Sequence, residues 1–341
     1  MLQIIFRHGA KFPDRTYEKD FHQPDFQNTD PGSLSLPGTL QMYNLGKTLA
    51  HRYVKLLPKN GFYSKKMILV KSSWMERTIS SALCFLAGFM PPLENSNPLP
   101  IPWQPVPIVS IARSEDALIA QKQACPKYDE VYEKQMNSEE IKALDVANQN
   151  LYRILSKNTG DNISSIVDVE FLHNTFEAEL AAGWTLPDWS ENIFPERTLP
   201  IAERYLRLLA DTAFMKRIKG GPLLTEIIET MLAKKNLISE RTITIYSGHD
   251  VTLVNVMNAM QILNQTTSKP EYSSALVIEL HHSLDHIDDM DVKIYYYFNS
   301  EDKYPTKIAI PGCETPCALS RFRKVMNGII VNDFEKLCET V

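Results

Sequence analysis

A basic segment near the start of the chain could do chemistry. Arg7 and His8 directly follow an apolar segment, and Lys11 stands three residues later. Gly9 lies between them and permits a close backbone approach. Because ligands of open α/β sheets bind at the carboxyl ends of strands, these residues are candidates for an anion site. Taken alone, the segment is more simply an ordinary basic loop.

Two later segments carry complementary groups. His249 and Asp250 follow another strand pattern and open a helix, and Arg77 begins the helix after the second predicted strand. Asp250 could be only a helix N-cap, and Arg77 only a solvated charge. If the strands are neighbours, however, guanidinium groups can grip phosphate. A neutral imidazole can attack phosphorus, and a carboxylic acid can protonate the leaving oxygen. The segments together predict a phosphate pocket.

The pattern of elements indicates an α/β fold. Strand and helix patterns alternate in the first third, which predicts a mostly parallel central sheet flanked by helices. Residues 114–237 show helix patterns without a convincing strand, so we expect a helical cap inserted into a core formed by 1–113 and 238–341. The predicted strands are Gln3–Phe6, Lys66–Val70, Val106–Ile111, Thr242–Tyr246, Ala275–His281 and Val292–Phe298, the last two antiparallel. The predicted helices are Gly38–Leu57, Met75–Phe89, Glu139–Leu155, Ile163–Leu180, Pro200–Ile218, Pro222–Lys235 and Val251–Leu263.

Composition excludes some classes of protein. The 341 residues carry 36 Lys and Arg against 41 Asp and Glu, a net charge of −5. This argues against a nucleic-acid partner bound by a global basic field. No apolar run approaches the length of a membrane span, so we expect no membrane partner. The chain begins on a strand pattern without a signal peptide, which suits a mature secreted chain or a cytosolic one.

The cysteines favour disulfides over a metal site. Cys313 and Cys317 stand in a short Pro-bounded loop, but no second pair at zinc-ligand spacing exists. We therefore expect no metal, a small disulfide loop, a long-range bridge and a buried free thiol at Cys84. Sequons at Asn162 and Asn264 add slight weight to secretion.

A second metal-like stretch is His-rich and Asp-rich. His281, His282 and His286 precede Asp288, Asp289 and Asp291. Because the ligand spacing repeats nowhere else, we interpret this stretch as a polar hairpin between two strands.

The chemistry-bearing segments resemble those of the histidine acid phosphatases. The motif of that family is Arg-His-Gly-X-Arg-X-Pro, with a distal Arg and a late His-Asp pair. Arg7, His8, Gly9 and Pro13 match the first motif, and the later segments match at Arg77 and 249–250. The likeness extends over nearly the whole chain. Segments similar to insect secreted and venom members are 42–46, 85–88, 91–92, 103–108, 220–224 and 246–250.

The resemblance implies a fold, residue roles and bridges. His8 would be the nucleophile and Asp250 the proton donor, while Arg7, Arg77 and His249 would hold the phosphoryl oxygens. The fold would be the histidine phosphatase fold, without a cofactor. It also implies disulfides between Cys125 and Cys338 and between Cys313 and Cys317.

The sequence departs from the motif at its second Arg, where Lys11 stands. An ammonium cannot reproduce the planar two-pronged grip of a guanidinium. Losing one oriented donor can cost on the order of 3 kcal/mol, or about a hundredfold in rate. Phe12 and Trp74 also stand beside the motif residues. They could line the site and favour a planar ring or a cation, or pack beneath the loops as core.

These departures predict a secreted binding protein. The pattern is similar to the acid-phosphatase-like salivary proteins of fleas, which lack catalytic residues and bind biogenic amines and leukotrienes. Asp250 would pair with an amine, and the basic residues would receive a carboxylate. The alternative is an active acid phosphatase that forms phosphohistidine at His8. The partner in either case is a small molecule, and the oligomeric state, a homodimer included, is left open.

Overall fold

The computed structural model of the chain describes residues 1–93, 99–284 and 288–339. Within these residues the strands are β1 (Leu2–Arg7), β2 (Ile68–Ser72), β3 (Ile243–Gly248), β4 (Ala275–His282), β5 (Met290–Tyr297), β6 (Thr306–Ile308) and β7 (Cys317–Ala318). They form one sheet in the order β2-β3-β1-β4-β5-β6, with β7 paired to β5.

Helices cover the sheet and fill most of the chain between β2 and β3. Over the same residues they are α1 (Gln23–Gln27), α2 (Leu36–Tyr53), α3 (Glu76–Phe89), α4 (Pro126–Met136), α5 (Glu139–Thr159), α6 (Ile166–Ala181), α7 (Leu199–Leu208), α8 (Ala213–Lys219), α9 (Gly221–Lys235), α10 (Asp250–Ala259), α11 (Leu319–Val325) and α12 (Phe334–Cys338). The fold is therefore the predicted α/β class. The predicted helix over 200–218 is instead two helices, because the Thr212 side chain caps a new helix by accepting from the amide of Met215.

The sheet is mixed rather than mostly parallel. β2, β3 and β1 run parallel, whereas β4, β5, β6 and β7 pair antiparallel. The predicted strand over 106–111 was wrong, since only Val109 bridges to β2, at Lys71. Pro105 and Pro107 lack the amide hydrogens that a ladder needs.

Alternation along β1 places apolar side chains on both faces of the sheet. Ile5 and Tyr246 pack with α9 and α10 on one face. Ile4 and Phe6 pack with α2 and α3 on the other, where the rings of Phe6 and Phe85 lie 4.9 Å apart. Because β1 is buried on both faces, the residues that follow it are held rigidly at the edge of the core.

The helical segment between β2 and β3 has two packing partners. Helices α5, α6 and α7 share a core of their own, which includes Leu155 and Phe176. In contrast, Leu223 and Ile227 of α9 pack in the core of the sheet. The division into a core and an inserted cap stays a prediction, and we propose that the insertion ends before α9 rather than at 237.

Both disulfides that the resemblance implies are present, and Cys84 is the free thiol, although it is only half-buried. Cys125 and Cys338 are 213 residues apart, and Cys313 and Cys317 are 4 apart. The long bridge therefore closes by far the larger loop of the unfolded chain.

Replacing Cys125 and Cys338 with alanine should lower the free energy of unfolding by about 5 kcal/mol, because a long loop loses the most entropy on closure. The same change at Cys313 and Cys317 is the control and should cost about 2 kcal/mol. Denaturant unfolding of both variants measures the difference. Equal losses would contradict it.

Helix α6 buries an acidic side chain beside another. Glu179 is fully buried, and Asp20 lies close to it with 5% of its surface exposed. Burial and the neighbouring Asp20 raise the pKa of Glu179 from 4.5 to about 9. The folded protein therefore holds a proton over this pH range that the unfolded chain has released.

The free energy of unfolding should thus fall as pH rises from about 4.5 to 9, by up to about 1.4 kcal/mol per pH unit from Glu179. Glu179→Gln should remove this slope and stabilise the protein at pH 8. Thermal unfolding across this range measures it, with the exposed Glu133→Gln as control. An unchanged slope in Glu179→Gln would contradict the expectation.

Both predicted glycosylation sites lie at the surface of the protein. Asn162 and Asn264 are both exposed. His281 lies 2.6 Å from Glu279, while His286 lies outside the described residues. Among the helices described, none is long and apolar enough to cross a membrane.

Candidate active site

The three chemistry-bearing segments meet at one edge of the sheet. β1 pairs with β3 so that Arg7 lies opposite Gly248, and β3 also pairs with β2. The residues after each strand therefore leave the sheet side by side. The ring centroids of His8 and His249 are 5.5 Å apart. The predicted convergence of the early and late segments is thus what the structure shows.

The loop after β1 is fixed against α2 and α3. Gly9 and Gly38 pack so closely that a Cβ on either would overlap the backbone of the other segment. The Gly9 amide donates to Ser81 Oγ at 3.1 Å, and the Ser35 hydroxyl donates to the Ala10 carbonyl at 2.9 Å. Since Ser35 also caps α2, the helix start and the loop hold each other in place.

His8 is set up as a neutral imidazole with one defined tautomer. Its Nδ1 lies 2.8 Å from the Gly9 carbonyl, so Nδ1 carries the hydrogen and donates it. Its Nε2 accepts from Nε of Arg77 at 3.1 Å. Burial, together with the charges of Arg77 and Arg7, keeps the pKa of His8 well below its ordinary value. The lone pair on Nε2 is the group that could attack phosphorus.

Arg7 is surrounded by acceptors. Its guanidinium donates to both carboxylate oxygens of Glu177, at 2.9 and 3.3 Å, and to the Pro270 carbonyl at 2.6 Å. Asp250 lies 3.4 Å away, and the Tyr272 ring centroid lies 3.9 Å from the guanidinium carbon. Burial opposes the charge, but the carboxylates outweigh it and raise the pKa of Arg7. Arg7 is an ion-pair partner within the protein before any ligand arrives.

Asp250 is held as a carboxylate. Its Oδ1 accepts the amide of Val251 at 2.8 Å, and Lys269 Nζ lies 3.3 Å from Oδ2. Lys269 also donates to Asn174 at 2.6 Å. Burial favours the neutral acid, but Arg7 and Lys269 outweigh it and hold the pKa of Asp250 well below its ordinary value. Asp250 is thus the anionic partner of two buried cations.

Lys11 is tied to an acidic neighbour. Its ammonium donates to Asp14 at 2.7 Å, and it is buried, with 6% of its surface exposed. The other carboxylate oxygen of Asp14 accepts from Arg77 at 3.4 Å. Asp14 therefore lies between Lys11 and Arg77, the two cations at motif positions that would face a phosphate.

His249 lies against the end of β2. Its Nε2 is 2.9 Å from the Ser73 hydroxyl, which in turn lies 2.9 Å from the hydroxyl of Thr78. Burial and the charge of Arg77 lower the pKa of His249 to about 3. His249 is thus a neutral hydrogen-bonding group rather than a cation.

The two predicted aromatic ligands lie differently. Trp74 is 60% exposed. Phe12 is half-buried, and its ring centroid lies 6.2 Å from that of Trp184. Neither residue lines the two cavities at this edge of the sheet, so the predicted aromatic lining is not found in them.

Two cavities adjoin the cationic residues. One measures about 220 Å³, and its lining residues are Lys11, Asp14, Arg15, Phe171, Asn174 and Thr175. The other, which we call the vestibule, measures about 500 Å³ and reaches Glu177 and Tyr272 beside Arg7. The residues that line the vestibule are Gln41, Glu177, Leu180, Ala181, Phe194, Glu271, Tyr272, Asn299, Ser300 and Glu301.

Sequence reasoning missed five side chains of the site. Glu177 and Asn174 lie on α6 without any motif to mark them, and Asp14 follows the family motif directly. Lys269 and Tyr272 precede β4, and because β4 runs antiparallel to β1 they lie at the same edge as the residues after β1. The strand prediction for 275–281 located this segment, but the strand pattern did not show that it pairs with β1.

Known proteins share both the sequence pattern and the fold. The histidine phosphatase superfamily (branch 2) matches residues 1–297. The chain is 30% identical to the venom acid phosphatase of Apis mellifera, over 99% of this chain and 87% of that protein. It is 28% identical to the lysosomal acid phosphatase of Homo sapiens, over 99% and 79%. A Hafnia alvei phytase in complex with myo-inositol hexakis sulphate aligns with a TM-score of 0.72 at 17% identity, over 100% of this chain and 98% of that one, which shows the same fold.

Proposed function

The chain belongs to branch 2 of the histidine phosphatase superfamily, and from that premise we propose that it is a secreted, acid-phosphatase-like protein that binds small mediators in the former phosphatase cleft. Two disulfides suit an oxidising compartment. Relatives from venom and from lysosomes support passage through the secretory pathway.

One observation carries the proposal: the cations that would hold a phosphate already have carboxylate partners within the protein. Glu177 and Asp250 contact Arg7 and Lys269. Asp14 contacts Lys11 and is within 3.4 Å of Arg77. A phosphate dianion would have to compete with three internal anions. The positive charges that would attract it are therefore largely neutralised inside the protein.

The vestibule has the chemistry of a site for an aromatic amine. Glu271 and Glu301 supply two exposed carboxylates, and among the described residues no Lys or Arg lines the vestibule. Phe194 offers a ring face that attracts an ammonium or a planar ring, whereas Tyr272 already stacks on Arg7. The amine would pair with these two carboxylates, because Asp250 and Glu177 are already paired with Arg7 and Lys269.

A leukotriene carboxylate would use the other cavity. It could reach Lys11 by displacing Asp14, whose side chain is 56% exposed and therefore free to turn toward water. Phe171 lines that cavity too and supplies apolar contact. Displacement of Asp14 would cost the ion pair with Lys11, so we expect this site to be weaker than the amine site.

Calorimetric titration with serotonin tests the amine site. The wild type should bind, and Glu271→Gln with Glu301→Gln should weaken binding at least tenfold, since both exposed carboxylates of the vestibule lose their charge. Glu133→Gln with Glu335→Gln makes the same charge change at exposed positions of α4 and α12 and should bind as the wild type does. Absence of binding, or equal weakening in both variants, would contradict the amine site.

An active phosphatase is the second candidate, and the preset tautomer of His8 favours it. In that case His8 Nε2 would attack phosphorus while Asp250 protonates the leaving alcohol oxygen, and water would then hydrolyse the phosphohistidine. This requires Asp250 to gain a proton despite Arg7 and Lys269.

A further inference from the structure

An apolar groove lies away from the cationic residues, at the opposite end of α2. It runs between the carboxyl-terminal halves of α2 and α3 and measures about 710 Å³, more than the vestibule. We call it the lysine groove. Its lining residues are Tyr43, Lys47, Ala50, His51, Val54, Lys55, Leu57, Pro58, Lys59, Gly61, Gly88, Phe89, Met90, Pro91 and Leu93.

The walls of the lysine groove are held by the fold. The Gln104 side chain donates to the carbonyls of Gly61 and Met90, at 2.8 and 2.9 Å, and accepts from the Tyr63 amide at 2.8 Å. One glutamine thus ties the loop after α2 to the segment after α3. The groove is therefore already formed and needs no rearrangement to admit a ligand.

Apolar side chains in the groove are exposed to water. Val54 is 62% exposed and Leu93 is 53% exposed, while Phe89 lies buried behind them. Covering such side chains with a hydrocarbon chain is favourable in proportion to the apolar area removed from water. The volume lies within the range of ordinary small-molecule sites.

Among the described residues, only basic charges line the lysine groove. Lys47, Lys55 and Lys59 are exposed at its rim together with His51, and no described Asp or Glu lines it. This is unlike the chain as a whole, in which acidic residues are in excess. Among the described residues none of the three lysines has an ion-pair partner, whereas the cations near His8 each have a carboxylate partner: Arg7, Lys11, Arg77 and Lys269.

We propose that the lysine groove binds a single-chain amphiphile with a carboxylate head, such as a free fatty acid. The hydrocarbon chain would lie over Val54 and Leu93, and the carboxylate would pair with the rim lysines. A free acid fits better than a flat membrane surface, because the apolar side chains line a recess rather than a protruding face. The inference does not depend on what the cleft at His8 binds or hydrolyses.

Fluorescence titration of the purified protein with cis-parinaric acid tests the proposal. The wild type should bind it, and Lys47→Glu with Lys55→Glu should weaken binding at least tenfold through loss and reversal of charge. Lys303→Glu with Lys307→Glu makes the same charge change at exposed positions elsewhere and should leave binding unchanged. Val54→Glu, at an exposed position, should weaken binding as well.

Several outcomes would overturn the proposal. These are no binding by the wild type, equal weakening in the control variant, or equally tight displacement of the probe by a fatty alcohol. Flotation with phosphatidylserine vesicles distinguishes a membrane surface: lysine-dependent vesicle binding without parinaric acid binding would also overturn it. Serotonin titration of the Lys47→Glu, Lys55→Glu variant should match the wild type, which separates this site from the vestibule.

Discussion

A variant carrying Lys11→Arg and Asp14→Asn should hydrolyse an aryl phosphate at acid pH about a hundredfold faster than the unchanged protein. Arginine restores the planar donor of the family motif, and one oriented donor can contribute on the order of 3 kcal/mol to the transition state. Asparagine removes the carboxylate that holds Lys11 at 2.7 Å and also contacts Arg77. Steady-state turnover measures the gain.

The single variants separate the two causes. Lys11→Arg alone should gain less, because Asp14 would pair with the new guanidinium. Adding His8→Ala to the double variant should return turnover to background, since the attacking nitrogen is gone. If the double variant is no faster than the wild type, the identity of residue 11 and its pairing with Asp14 do not limit catalysis.

Glu177→Gln should lower the free energy of unfolding by about 3–5 kcal/mol, the usual cost of breaking a buried ion pair from one side. Arg7 and Lys269 would both lose a carboxylate within 3.1 Å while staying buried. Glu271→Gln, on the exposed rim of the same vestibule, is the control and should stay within about 0.5 kcal/mol. Denaturant unfolding at neutral pH compares the two.

Acid should remove the same contribution from the wild type. Burial alone would raise the pKa of Glu177, but Arg7 and Lys269 outweigh it and lower the pKa from 4.5 to about 2. The stabilisation is therefore complete above pH 4.5 and is lost as pH falls toward 2. Wild type and Glu177→Gln should converge in stability over this window. A constant difference between them would contradict the role assigned to Glu177.

The residues that gather at one edge of the sheet could be identified from the sequence, but the ion pairs among them could not. Arg7, His8, His249 and Asp250 stand at or directly after strand ends, and neighbouring parallel strands bring such residues together at one edge of a sheet. Lys11 was singled out as the departure from the motif, which stays a prediction. Its partner Asp14 was overlooked, because a contact three residues away in a loop has no periodic signal.

The contacts that α6 makes with the edge of the sheet could not be predicted from the sequence, for a different reason. Glu177 meets Arg7 across 170 residues, and the position depends on how α6 packs over the sheet edge. Helix periodicity predicts a buried stripe but not which polar side chain ends above a particular guanidinium. The antiparallel half of the sheet was underestimated because strand patterns do not reveal pairing partners.

The central claim is that internal carboxylates neutralise the cations that would hold a phosphate, and that the cleft binds small mediators instead. Steady-state hydrolysis of para-nitrophenyl phosphate at acid pH, with His8→Ala as the background control, tests it most directly. The wild type should be indistinguishable from His8→Ala, or exceed it only slightly. Vigorous turnover by the wild type that His8→Ala abolishes would contradict the account.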